Sequence, residues 1–240
     1  MVLKNDSQSR SLEGLPLMKK VVKGSLDALP RITEGAVEME VDPLSGQKTG
    51  FFLDQRENRI ALAGYVDGGK GLDLFCYSGG WGLQLAKAGA DVAFVDASEQ
   101  AITTARNNAG INSLEGRCRF EKADVFDFLK REAEAGNLYD VVVLDPPAFV
   151  KSRQKIKEAL RGYREINTLA MAVVREGGIL ATSSCSYHIE KEIFLDILRT
   201  AARDAKKSPR LLEYRSQGRD HPVLLSVPET EYLKCAFLRM

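Results

Sequence analysis

Asp73-Leu74-Phe75-Cys76-Tyr77-Ser78-Gly79-Gly80-Trp81-Gly82 is the stretch that decides the fold. With Gly71 and Leu72 ahead of it, its first half reads as a short apolar strand. Gly79, Gly80 and Gly82 then open a turn, and Leu83, Leu85 and Ala86 start a helix. A strand that ends in a glycine-rich turn and runs into a helix lets a ligand approach the backbone closely.

The same alternation continues outward. Asp91–Asp96 is a second strand, and Ser98 is placed to cap a helix carrying Ala101, Ile102 and Ala105. Arg117–Ala123 is a third strand, followed by a helix over Val125–Ala135 with Phe126, Leu129 and Ala133 on one face. Tyr139–Asp145 is a fourth, and its near-continuous valines suit a central parallel strand covered on both faces. A helix over Ile156–Val174, a strand over Gly178–Thr182 and a helix over Glu190–Ala205 follow, with late strands at Leu211–Arg215 and Tyr232–Leu238. This pattern predicts an α/β fold, a mostly parallel, seven-stranded, doubly wound sheet with helices on both faces. Ligands then bind at the carboxyl ends of the strands. Upstream, Ile32–Asp42, a turn at Pro43-Leu44-Ser45-Gly46 and a returning Gln47–Leu53 read as a β-hairpin. A helix at Glu57–Ala63 leads on from it. The expected division is a β-rich subdomain over 1–56 and the main domain over 57–240.

Composition is that of a globular chain: 44% hydrophobic and 28% charged among 240 residues. No apolar run approaches the ~18 residues needed to cross a bilayer, and the first residues have no signal-peptide core. No membrane association is expected, and the cytoplasm is the default location. Cys76, Cys118, Cys185 and Cys235 form no C-x-x-C pair, so neither a metal site nor a disulfide framework is expected. A net charge of +1 does not by itself point to nucleic acid. Two basic clusters stand out, Lys19, Lys20, Lys23 and Arg31, then Lys151, Arg153, Lys155, Lys157, Arg161 and Arg164. Either is read as a solvated helix face or as a phosphate-binding surface.

The candidate chemistry lies at the strand ends. The turn lacks the G-x-G-x-x-G spacing that seats a pyrophosphate. It carries instead an acid at Asp73, suited to an ammonium group. Asp96 ends the next strand, where a carboxylate grips ribose hydroxyls, and Asp124 follows the third, within reach of an adenine amine. Together these suit an aminoacyl nucleoside without phosphates; the alternative is that they are turn and cap residues. Asp145-Pro146-Pro147-Ala148-Phe149 closes the valine-rich strand, its prolines presenting the Asp145 carboxylate and Pro146 carbonyl rigidly and Phe149 as a stacking surface. Cys185, within Ser183-Ser184-Cys185-Ser186, shares that end of the sheet.

Several segments together resemble the bacterial large-subunit rRNA cytosine-C5 methyltransferases. They are Gly50–Arg59 (GFFLDQRENR), Asp145–Val150 (DPPAFV), Arg161–Asn167 (RGYREIN), Ser184-Cys185-Ser186, Asp220-His221-Pro222 and Glu231-Tyr232-Leu233-Lys234. The resemblance implies a Rossmann-like class I domain that uses S-adenosyl-L-methionine, preceded by a β-rich domain. It implies cofactor contacts from Asp54, Gln55 and Arg56, from Asp73, Phe75, Tyr77, Ser78, Gly79 and Gly80, and from Asp96, Ala97, Ser98, Asp124, Val125, Asp145 and Pro146. Pro147, Phe149, Lys151, Arg153 and Arg161 are the candidate substrate contacts. The family's small RNA-binding PUA domain has no counterpart in these residues.

On this reading a Cys185 thiolate adds to C6 of cytosine and makes C5 nucleophilic. Asp145 then hydrogen-bonds the base, which must leave its stack. The base that removes the C5 proton is not identified. Two alternatives stand beside it: methylation of an exocyclic amine of a nucleobase, and an inactive cofactor-binding, RNA-interacting protein. RNA, ribosomal by the resemblance, is the expected partner, with a homodimer left open.

Overall fold

The computed structural model describes residues 1–149 and 156–240. Its centre is a seven-stranded sheet built on β5 (Lys70–Leu74), β6 (Asp91–Asp96), β7 (Cys118–Lys122), β8 (Tyr139–Leu144), β9 (Val174–Ser184), β10 (Arg210–Arg215) and β11 (Lys234–Arg239). The spatial order is β10-β11-β9-β8-β5-β6-β7. The run from β9 to β7 is parallel, whereas β11 lies antiparallel between β9 and β10. The expected Rossmann-like architecture is therefore present, and both late strands join the sheet.

Alternation along the strands sorts the core into two layers. Leu72, Leu74, Val142, Leu144 and Leu180 face α5 (Val125–Glu134), α6 (Ile156–Ala172) and α7 (Lys191–Asp204), meeting Phe128, Leu129, Tyr163, Ile166 and Phe194. Val92, Phe94, Val141, Val143 and Ala181 point the other way. They meet Leu62 of α2 (Arg56–Ala63), Leu83 of α3 (Gly80–Lys87) and Ile102 of α4 (Glu99–Ile111). Ser98 caps α4, its side chain accepting from the Ala101 amide. Helix α5 buries Val125, Phe128 and Leu129, and the expected Phe126 and Ala133 sit half-covered at the edge of that face.

The N-terminal region departs from expectation. The hairpin is β3 (Arg31–Glu34) against β4 (Val37–Glu40), and it turns at Gly35 rather than at 43–46. Gln47–Leu53 is not a returning strand. Asp42 redirects the chain: its Oδ1 accepts from the Leu44 and Ser45 amides, both at 2.9 Å, and its carbonyl accepts from Gly46 at 3.0 Å. Gly50, at φ +97°, then passes so close that a Cβ there would sit 2.5 Å from the Asp42 carbonyl oxygen. A local Asx turn outcompetes the strand pairing. A further pair, β1 (Val2–Asn5) with β2 (Met18–Val21) around the short helix α1 (Gln8–Leu12), was not anticipated.

The hairpin is docked by polar bonds as well as by Val37 and Met39. Asn108 on α4 and Asn112 at its C-cap, one turn apart, accept from the Glu40 and Glu38 amides at 2.9 Å each, so this end of the helix satisfies an open strand edge. Arg59 of α2 forms two hydrogen bonds of 2.6 Å to the Glu34 carboxylate, and both side chains are buried.

Candidate active site

The glycine turn departs from β5 through left-handed backbone at Phe75 (φ +60°), Tyr77 (φ +48°) and Gly79 (φ +85°). Non-glycine residues in that region are strained, and such strain gathers at functional sites. The strain is held by bonds from neighbouring elements. The Tyr77 amide donates to Asp96 Oδ2 at 3.0 Å, and Asn108 Nδ2 donates to the Ser78 carbonyl at 3.0 Å. Asp96 Oδ1 accepts from the Ser98 amide at 2.9 Å, so Asp96 fastens the turn to the end of β6.

Asp73 is fully buried under this turn. Its Oδ2 accepts from the Gly82 amide at 2.7 Å, and its Oδ1 has no hydrogen-bond partner. Burial pushes its pKa up to about 8, with the Asp145 and Asp96 charges adding to the rise. Gly82 must lack a side chain here, since a Cβ would lie 2.3 Å from the Phe94 ring. A buried carboxyl with an orphaned oxygen beneath a glycine-rich turn fits a ligand whose positive charge would favour its ionised form.

Asp145, at the end of β8, is held from two sides. Trp81 Nε1 donates to its Oδ2 and Gln55 Nε2 to its Oδ1, each at 3.0 Å. Burial raises its pKa, and the Trp81 and Gln55 bonds and the Arg59 charge oppose the rise. Gln55 also reaches Ser183 Oγ at 3.1 Å, and Asn58 orients Gln55 through a 2.7 Å bond. One side chain thus links the start of α2 to the ends of β8 and β9.

Asp54 lies beside it, buried, with Lys48 Nζ at 2.9 Å and the Tyr232 hydroxyl donating at 2.8 Å. Burial pulls its pKa upward, but the Lys48 and Tyr232 hydrogen bonds hold it below the usual carboxylate value. Cys185 follows β9 and is partly exposed. Burial pushes its thiol pKa up and the Asp145 charge adds to this, while Lys48 pulls it down. The protein alone therefore keeps Cys185 as a thiol at neutral pH.

The expected residues converge unevenly. Asp54, Gln55, Asp145 and Cys185 meet through direct bonds or mutual charge, and Asp73, Phe75, Tyr77, Ser78, Gly79, Gly80 and Asp96 form the adjoining turn. Arg56 is exposed, while its neighbour Arg59 is the buried arginine. Asp124 caps α5, accepting from Phe126 and Asp127 amides at 2.9 and 3.2 Å, with Val125 buried behind it. Ala97 and Pro147 are exposed and Pro146 is buried. Phe149 is half-buried, its ring centroid 4.6 Å from that of Tyr163. Arg161 is exposed on α6, and Arg164 is committed to Asp204. Lys151 and Arg153 lie outside the described residues. Trp81, Asn58, Tyr232 and Lys234 fall in the motif segments quoted above, but neither they nor Lys48 are candidate site residues from the sequence, although Trp81 is the chain's one tryptophan and stands directly behind the glycine pair.

No group of three or more His, Cys, Asp or Glu side chains among the described residues is arranged to hold a metal ion. None of the described helices is long and apolar enough to cross a membrane.

A strained glycine turn over a buried acid, at the carboxyl end of a seven-stranded sheet with an antiparallel β11, defines an S-adenosylmethionine-dependent methyltransferase domain. The chain belongs to the methyltransferase domain family, which matches residues 66–222. It is 42% identical over 234 residues to ribosomal RNA large subunit methyltransferase I of Shewanella denitrificans, covering 96% of this chain and 59% of that protein. The chain thus spans about three-fifths of the length of the curated relatives it matches. Among solved structures it superposes on a putative SAM-dependent methyltransferase from Streptococcus mutans with TM-score 0.81 and 23% identity, covering 92% of this chain and 58% of that one. Another, a putative methyltransferase complexed with SAH, gives TM-score 0.82 and 21% identity over the same shares.

Proposed function

We propose that the chain methylates C5 of a cytosine in ribosomal RNA through a covalent adduct at Cys185. The observation that carries this reading is the partly exposed cysteine one residue past β9, sharing its surroundings with the Asp145 carboxylate at the end of the adjacent strand. An amino methyltransferase needs no such thiol. The relative's name, a large-subunit rRNA methyltransferase, supports an RNA substrate.

The cofactor supplies a sulfonium-bound methyl group. Asp73 and the turn over Phe75–Gly80 would hold its aminoacyl end, and Asp96 would bind its ribose. Asp124, with Ala97, Ser98 and Val125, would contact the adenine. Cys185 attacks C6 of the base, placing negative charge on the ring that is delocalised toward C5 and the carbonyl. Asp145, whose pKa burial raises, hydrogen-bonds the base and stabilises that charge. Gln55 and Trp81 hold Asp145 in place, and Pro146, Pro147 and Phe149 shape the space for the base. Arg161, with Lys151 and Arg153, supplies phosphate contacts, and 1–56 serves as a β-rich subdomain beside the main domain 57–240.

Cys185→Ala should bind cofactor and RNA and lose methyl transfer, and RNA containing 5-fluorocytidine should form an adduct at Cys185 in the unaltered protein. Undiminished transfer by the alanine variant would rule the covalent route out. An amine-methylated product would favour the amino methyltransferase instead.

A further inference from the structure

Lys234 is a buried cation with no task in the mechanism above. It opens β11, and its Cα pairs with that of Ser184 across the β9–β11 ladder, so it stands beside the strand end that carries Cys185. No carboxylate among the described residues pairs with it. Its Nζ donates instead to the carbonyl oxygens of Ser186, at 2.8 Å, and Tyr232, at 2.7 Å. Burial among neutral acceptors drives its pKa down to about 8, and the titratable groups that oppose this are Cys185 and Glu231.

Valence narrows what this amine can do. Nζ is tetrahedral, with one direction taken by Cε and two by the carbonyls. A carbonyl only accepts, so both bonded directions carry hydrogen in either protonation state. The fourth direction holds a third proton or a lone pair. Lys234 is therefore a carrier of one exchangeable proton, fixed in place by the residues on either side of the site.

Cys185 has the complementary need. Its burial and the Asp145 and Asp54 charges disfavour a thiolate, and Lys48, the cation that helps, is tied to Asp54. The tyrosines of this neighbourhood, Tyr163 on α6 and Tyr232 ahead of β11, have pKa values raised by burial and stay neutral. A thiolate formed here requires a cation that is not already paired.

We propose that Lys234 is the positioning residue that sets the reactivity of Cys185, forming a thiolate–ammonium pair with it before addition. The proposal rests on reading Cys185 as the nucleophile. In the form of Lys234 whose fourth direction is a lone pair, the S–H bond breaks, its proton goes to that position of Nζ, and sulfur keeps the electron pair for its bond to C6. When that bond breaks at the end of the cycle, sulfur recovers the pair and the proton returns from Nζ. Lys234 is thus occupied by the thiol proton during methyl transfer, and the C5 proton leaves by another route.

The test is alkylation of Cys185 by iodoacetamide across pH, read by peptide mass spectrometry on the full chain, with S-adenosylhomocysteine binding as the check on folding. Lys234→Met should slow alkylation at neutral pH by about tenfold or more and move its midpoint to higher pH. Lys234→Gln still donates to a backbone carbonyl but takes up no proton, so it should lose as much, and it carries the test if the Met variant fails to fold. Recovery in the Gln variant, or a pH profile unchanged in both, would overturn the pair. Alkylation needs no RNA, so its result is separate from that of Cys185→Ala. Slowed alkylation alongside transfer that survives Cys185→Ala would sink the nucleophile assignment alone.

Discussion

Trp81 donates its indole N–H to Asp145 Oδ2 at 3.0 Å although 64 residues separate them. The bond ties the glycine turn after β5 to the Asp-Pro-Pro turn after β8, the two segments that frame the proposed cofactor and base. Trp81→Phe keeps most of the packed volume and leaves a half-buried carboxylate oxygen without a donor. The expected loss is ~1–3 kcal/mol of stability, measured as a lowered urea midpoint by circular dichroism. An unchanged midpoint would mean that the bond contributes nothing.

Gly82→Ala should do more harm than its single methyl group suggests. The added Cβ would lie 2.3 and 2.6 Å from two atoms of the Phe94 ring and 2.9 Å from Asp73 Oδ2. Phe94 is fully buried in the sheet and cannot swing away. Overpacking of this kind costs about 1–3 kcal/mol, and displacement of the turn should weaken S-adenosylhomocysteine binding in calorimetry. A variant that binds as tightly as the parent would show that the turn tolerates the shift.

The buried Glu34–Arg59 pair joins the hairpin to α2, and Arg59 also donates to the Phe52 carbonyl at 2.9 Å. Arg59→Met strands a carboxylate in the core and should cost ~3–5 kcal/mol, while adding Glu34→Leu should recover much of that loss. Chemical denaturation of both singles and the double variant measures the coupling. A single-variant cost near zero would contradict the buried geometry.

Asp73 makes stability depend on pH in a stated direction. Its folded pKa of about 8 lies above the ordinary 3.8, so the folded state holds a proton that the unfolded chain releases at lower pH. That stabilisation is complete below the unfolded value and is lost as pH rises through the folded one. The parent should therefore lose stability relative to Asp73→Asn as pH rises from about 4 to about 8. A positively charged ligand beside Asp73 should lower its pKa, so cofactor binding near neutral pH should release a proton, detectable by calorimetry in buffers of different ionisation heat. A constant difference between the two proteins across this range would place Asp73 in its ionised form throughout.

The sequence by itself determined the sheet and the end of it where chemistry occurs. The valines of β8 are covered on both faces, Ser98 caps α4, and glycine, Asp-Pro-Pro and Ser-Cys-Ser follow successive central strands; each of these signals lies within one short segment. Backbone propensity and hydrophobic period act over a few residues, so a single chain suffices to read them. The hairpin is not legible from the sequence because two local signals compete, the strand-like Gln47–Leu53 and the Asx turn at Asp42, and only the close passage of Gly50 decides between them. Trp81 on Asp145, Gln55 bridging β8 and β9, Arg59 rather than Arg56 in the interior, and Lys234 beside Cys185 were decided by tertiary structure alone. Their partners lie on elements that the topology brings together, and whether a charge is buried, paired or proton-holding depends on every element packed around it.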